Sequence, residues 1–159
     1  MIDELEVTAL VDSDHAHNKL TRCSIIGLLI LVGRTTVFVM SKHQEAIATS
    51  TYGAEFCAMR TAVEVVQAVR YMLSCLGVKV KHASFIYGDN QGVIQNSTIA
   101  GSSLKKKHVA IAFHKTRESA ASGICHPIKI RSEHNFVDLL TKAVTGKTFW
   151  SLYGGLTSG

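Results

Sequence analysis

Between residues 5 and 76 the spacing of apolar side chains changes once, from two to three or four, and nothing else in the sequence constrains the fold as strongly. Residues 5–12, LEVTALVD, alternate Leu5, Val7, Ala9 and Val11 with Glu6, Thr8, Leu10 and Asp12, the pattern of a strand with one strongly apolar face. Residues 24–32, SIIGLLILV, are almost continuously apolar, as a central strand requires. Gly33-Arg34 supplies a two-residue hairpin turn, and the β-branched TTVFVMS, residues 35–41, forms the return strand. From Thr51 to Leu76 there is no proline and only Gly53. Phe56, Met59, Val63, Val66, Val69, Leu73 and Leu76 recur every three or four positions, with Arg60, Glu64, Gln67 and Arg70 off the stripe. This predicts a long amphipathic helix, capped by Ser50 or Thr51 and closed by Gly77.

Further on, residues 83–88 read as a fourth strand, whose Phe85-Ile86-Tyr87 run suits complete burial and which ends on Gly88 and the acid Asp89. A short helix over 90–97 follows, then a helix over 104–123 closed by Gly123. A fifth strand over 124–132 carries Pro127, which suits a sheet edge. A last helix over 135–144 precedes a Gly- and Ser-rich tail. A three-stranded antiparallel meander joined by helical crossovers to two more strands implies an α/β fold, a five-stranded mixed sheet flanked by helices. The expected organisation is one domain over 1–145 and a C-terminal tail over 146–159.

Composition narrows the function class. The chain has 159 residues, of which 47% are hydrophobic and 18% charged, which suits one globular core. Its longest apolar run, residues 24–33, falls short of the ~20 residues that span a bilayer. The start, MIDELE, holds three acids, opposite to a secretion signal, so an intracellular protein without a membrane partner is expected. Cys23, Cys57, Cys75 and Cys125 are widely separated and form no zinc-type pair. The net charge of +5 favours a polyanionic partner.

Four acids share similar addresses: Asp12 ends the first strand, Glu55 lies in the first turns of the long helix, Asp89 ends the fourth strand and Asp138 lies in the last helix. In an open α/β sheet, ligands bind at strand ends where the strand order switches. Carboxylates gathered there repel one another unless a cation neutralises them, and hard oxygen donors select Mg²⁺. Asp14, two residues past Asp12, reads as a loop acid.

Five blocks in order carry a resemblance. VDSD (11–14), SKHQEAIATSTYGAEF (41–56), GDNQGVIQN (88–96), LKKKHVAIAFHKTRE (104–118) and VDLLTKAV (137–144) together resemble the ribonuclease H domain of copia-type LTR retrotransposon polyproteins, over roughly residues 9–145. The resemblance implies a ribonuclease H-like fold and an endoribonuclease that hydrolyses the RNA strand of RNA–DNA hybrids. It implies that Asp12, Glu55, Asp89 and Asp138 are catalytic and hold two Mg²⁺ ions, with Mn²⁺ able to substitute. Asn90 and Gln91 beside Asp89, and the basic run Lys105, Lys106, Lys107 and His108, are the implied nucleic-acid contacts. The 2′-hydroxyl would distinguish RNA from DNA. An upstream reverse transcriptase of the same polyprotein is the implied partner, in cytoplasm, virus-like particles or nucleus. Two features depart from cellular relatives. The sequence runs from the long helix through GVKVKH straight to the fourth strand, without a basic protrusion, and neither His126 nor His134 matches a product-release histidine. The alternatives are a nuclease of the same fold acting on other nucleic acid, and a catalytically retired domain that binds nucleic acid or a partner without cutting.

Overall fold

The structure is a computed structural model that describes residues 4–14, 23–44, 50–99 and 110–157, with side chains through residue 154. Strands β1 (Val7–Asp14), β2 (Ile25–Val32) and β3 (Thr35–His43) form the antiparallel meander that the period-two patterns predict. Gly33 makes the tight β2–β3 turn possible because it adopts φ 60°, a left-handed conformation that side chains penalise. Helix α1 (Thr51–Cys75) begins where Ser50 accepts a hydrogen bond from the Gly53 amide at 3.2 Å. It ends at Gly77, φ 74°, where the Val78 amide returns to the Leu73 carbonyl at 2.9 Å.

Strand β4 (Ser84–Gly88), helix α2 (Gln91–Thr98), helix α3 (Ala110–Ala121) and strand β5 (Cys125–Lys129) complete the crossovers. The strand order is β3-β2-β1-β4-β5, with β4 parallel to both β1 and β5, so the sheet is mixed and five-stranded. Pro127 lies on the edge strand β5, where its missing N–H costs no ladder bond. Residues 104–109 of the expected third helix lie outside the described residues.

The main core lies on one face of the sheet, where Val7, Ala9, Val11, Leu28, Ile30 and Ile86 meet Phe56, Val63, Val66 and Phe113 from α1 and α3. Phe56 packs between Tyr52 and Phe113, with ring centroids 5.0 and 5.8 Å away. The other face is covered more lightly by α4 (Asp138–Thr141), whose Leu140 and the preceding Val137 sit on Leu10 and Leu29. That lighter cover explains the first difference from expectation. β4 is not fully buried: Ser84, Ile86 and Gly88 are, but Phe85 and Tyr87 point to the thinly covered face and stay half-exposed.

The C-terminal quarter differs more. In place of one helix over 135–144 there is a 3₁₀ turn, Ser132–His134, an extended Asn135 and the single turn of α4. The Asn135 side chain is buried and donates to the Val11 carbonyl at 3.2 Å, and this tie to β1 interrupts the helix. Residues 146–157, read as part of a tail, form helix α5 (Gly146–Thr157). Its Leu152 is buried, and Phe149 stacks on Tyr153 at 5.8 Å.

Candidate metal centre

β1 and β4 run parallel, with Leu10 level with Tyr87, so two residues further along both strands Asp12 and Asp89 come to the same end of the sheet. Asp12 is 1% exposed and lies within β1, two residues before its end rather than at it. Asp89 follows β4 directly. The Asn90 side chain caps α2 by accepting from the Val93 amide at 3.2 Å, which fixes the turn that carries Asp89. Glu55, buried in the first turns of α1, approaches from the core side. One oxygen from each of Asp12, Glu55 and Asp89 lies within 4.8 Å of the others. These residues line an open cleft of about 430 Å³, with Ser13, Asp14, Thr51, Asn90 and Lys142.

Neighbouring side chains hold the carboxylates in place. Thr141 donates a hydrogen bond to Asp12 Oδ2, while the buried Asp12 Oδ1 has no hydrogen-bond partner among the described residues. Ser132 donates to Asp89 Oδ2 at 3.0 Å. The Gln44 amide donates to Ser13 Oγ at 3.3 Å and to the Ala54 carbonyl at 2.9 Å, tying the end of β1 to the turn that carries Glu55. Lys142 Nζ stands 3.3 Å from both Asp12 Oδ2 and Asp138 Oδ1. Gly27 sits opposite Asp12 in the β1–β2 register, and a Cβ there would lie 2.5 Å from Val137 Cγ1. Its bare backbone lets α4 rest against the sheet beside Asp12.

Crowded carboxylates shift one another. Burial, then the charges of Asp12 and Asp89, push Glu55 up to about 9 against the opposing pull of Lys142. Burial and Asp12 raise Asp138 to about 6, again against Lys142. Burial works to lower Lys142, but the charges of Asp12 and Asp138 outweigh it and raise the ammonium. Among the described residues, several acids thus share a confined space with the Lys142 ammonium, and a buried Asp12 oxygen lacks a hydrogen-bond partner. The donors around Asp12, Glu55 and Asp89 are all hard oxygens, so the site fits a divalent cation of the Mg²⁺ type.

Of the residues singled out in the sequence, Asp12, Glu55 and Asp89 converge. Asp138 joins them through Lys142 but lies outside the 4.8 Å group. Asn90 lines the cleft, whereas Gln91 begins α2 exposed and does not. Lys105, Lys106, Lys107 and His108 lie outside the described residues. His126 on β5 and His134 in the 3₁₀ turn are exposed, and Asp14 is the last residue of β1, half-buried at the cleft wall. Gln44, Ser132, Thr141 and Lys142 were not anticipated. Only Lys142 had a signal, its position four residues after Asp138, which places both on one side of a helical turn.

No known family model matches the chain. The retrovirus-related Pol polyprotein from transposon RE1 of Arabidopsis thaliana is 26% identical over 145 residues, 91% of the chain. The retrovirus-related Pol polyprotein from transposon TNT 1-94 of Nicotiana tabacum is 30% identical over 139 residues, 87% of the chain. The chain spans 10% of the length of each. Among solved structures, RNase H1 from Halobacterium salinarum superposes with a TM-score of 0.63 at 16% identity, over 86% of this chain and 94% of that one. LC11-RNase H1 in complex with RNA/DNA hybrid gives 0.63 at 16% identity, over 82% and 88%. A foamy viral protease-reverse transcriptase in complex with RNA/DNA hybrid gives 0.56 at 12% identity, over 99% of this chain and 21% of that one.

Proposed function

We propose that this chain, a homologue of the plant retrovirus-related Pol polyproteins with the fold of a ribonuclease H, is an endoribonuclease that hydrolyses the RNA strand of RNA–DNA hybrids. In this reading it is the ribonuclease H segment of a retrotransposon polyprotein and works beside a reverse transcriptase. The observation that carries the proposal is the convergence of Asp12, Glu55 and Asp89, from three elements remote in sequence, around a buried Asp12 oxygen that has no hydrogen-bond partner among the described residues.

Asp12, Glu55 and Asp89 would hold the metal, with Asp138 completing the catalytic acids. When bound, Mg²⁺, or Mn²⁺ in its place, supplies Lewis acidity for the attacking water and the leaving 3′ oxygen of a phosphodiester. The protein's own contribution is orientation. Thr141 fixes one oxygen of Asp12 and leaves the other for the cation. Ser132 does the same for Asp89 from the turn after β5. Gln44 holds the first turn of α1, and so the height of Glu55, against β1. The cleft is open, as a groove for a duplex must be, and Asn90 on its wall would contact the nucleic acid. The net charge of +5 favours the polyanion despite the local acids.

The test is a labelled RNA–DNA hybrid incubated with the protein and Mg²⁺, beside DNA–DNA and RNA–RNA duplexes. Cleavage confined to the RNA of the hybrid, and lost in Asp89→Asn, supports the proposal. Cutting of duplex DNA would replace it with another nuclease activity, and binding without cutting would replace it with a non-catalytic role.

A further inference from the structure

The two halves of the acidic cleft differ in one respect: the Asp12–Asp138 half already contains a cation. The Lys142 ammonium stands 3.3 Å from a carboxylate oxygen of each acid. Asp12 divides its oxygens accordingly. Oδ2 is taken by Thr141 and Lys142, and Oδ1 is buried without a hydrogen-bond partner among the described residues. Asp12, Glu55 and Asp89 share a common 4.8 Å space that includes no oxygen of Asp138.

The position of Lys142 is built into the fold. α4 is a single turn with Asp138 at its start, and the Lys142 amide closes it on the Asp138 carbonyl at 3.0 Å. Lys142 then turns extended, at φ −128° and ψ 147°, as the chain leaves the helix. Gly27 seats this turn against the sheet, which brings the side chain to Asp12, remote from it in sequence.

We propose that Lys142 is the resident cation of the Asp12–Asp138 pair. The resting protein therefore takes one divalent ion strongly, at Asp12, Glu55 and Asp89, and a second is accepted only when the ammonium leaves. The purpose of this arrangement rests on the nuclease reading above, but the ion count does not. With Asp12, Glu55, Asp89 and Asp138 ionised, one divalent ion and the ammonium leave this group of four acids one charge negative, before Asp14 at the cleft wall is counted. A second divalent ion takes the place of the ammonium in this balance: two divalent ions neutralise the four acids, and the displaced ammonium is free to pair with an entering phosphodiester. The flexible stem of Lys142 lets its ammonium move from the carboxylates to a phosphate oxygen, which couples the second ion to the presence of substrate.

The experiment is a Mn²⁺ titration without nucleic acid, read as loss of the free-ion electron paramagnetic resonance signal, with circular dichroism on every variant. Wild type is expected to bind one Mn²⁺ strongly. Lys142→Met is expected to gain a second site, tightened by on the order of tenfold or more. Lys142→Arg, which keeps the charge, should stay at one, as should Asp138→Asn. Two equally strong ions in wild type, or one unchanged ion in a folded Lys142→Met, would overturn the proposal. So would loss of the strong ion in a folded Asp138→Asn. A protein that shows the expected ion counts but cuts no hybrid upholds the role of Lys142 and defeats the nuclease reading. One that cuts hybrid while binding two ions at rest does the reverse.

Discussion

Replacing Gly27 with alanine adds one methyl group where α4 rests on the sheet. That Cβ would lie 2.5 Å from Val137 Cγ1, 2.7 Å from Thr141 Cγ2 and 3.1 Å from the Val137 carbonyl oxygen. Carbon pairs rest at about 3.5–4.0 Å, so the α4 turn must withdraw by roughly 1 Å. Overpacking of this kind costs about 1–3 kcal/mol. At about 2–4 °C per kcal/mol for a chain of this size, Tm should fall by roughly 2–12 °C. Thr141, which donates to Asp12, and Asp138 both ride on that turn, and a displacement of about 1 Å in a catalytic constellation can cost ~100-fold in rate. The assay is thermal melting by circular dichroism together with hybrid cleavage. Gly146→Ala serves as control, because its Cβ would meet nothing within 4 Å. The sign makes the test sharp, since alanine in a strand otherwise gains about 0.5–1 kcal/mol over glycine. A Gly27→Ala protein with unchanged or higher Tm and intact cleavage would refute the claim that this glycine seats α4.

Burial holds Glu55 at about 9 against an ordinary value of 4.5, so its neutral form is favoured in the folded state. The stability this contributes is present below pH 4.5 and is lost as pH rises toward 9. Metal-free Tm should therefore decline from pH 5 to pH 8. Added Mg²⁺ should raise Tm more at pH 8 than at pH 5, because the cation needs the carboxylate deprotonated, and Glu55→Gln should flatten both trends in calorimetry. Asp89→Asn is expected to keep the fold by circular dichroism while hybrid cleavage falls by ~1000-fold, the rate equivalent of several kcal/mol of charge stabilisation. Phe56→Ala removes a fully buried ring from between Tyr52 and Phe113, and urea unfolding should show a loss of about 3–5 kcal/mol. Ser50→Ala removes the α1 cap and should cost ~1 kcal/mol in the same assay.

Local patterns announced the elements whose structure is itself local. The alternation through Val7 and Val11, the turn at Gly33, the Ser50 cap and the Gly77 stop all stand within a residue or two of where the spacing puts them. The acids were legible by address, since strand ends and a helix start are where carboxylates can meet, and Asp12, Glu55 and Asp89 do meet. What escaped was set by contacts distant in sequence. VDLLTKAV has the composition of a longer helix, yet Asn135 bonds to β1 and Lys142 is drawn to Asp12, so only one turn forms. Phe85 and Tyr87 look like core residues in an apolar run, but their exposure depends on how little of the second face α4 covers. The glycines of residues 146–157 suggested a tail, whereas Leu152 and the Phe149–Tyr153 stack give the segment a reason to be helical. Gln44 and Ser132 carry no spacing signal, because their partners lie on other elements.

Anomalous diffraction from a Mn²⁺-soaked crystal tests most directly whether one cation is shared by Asp12, Glu55 and Asp89. The predicted result is a peak about 2.0–2.3 Å from carboxylate oxygens of all three residues. Manganese bound elsewhere, with these three side chains left without an ion among them, would contradict it.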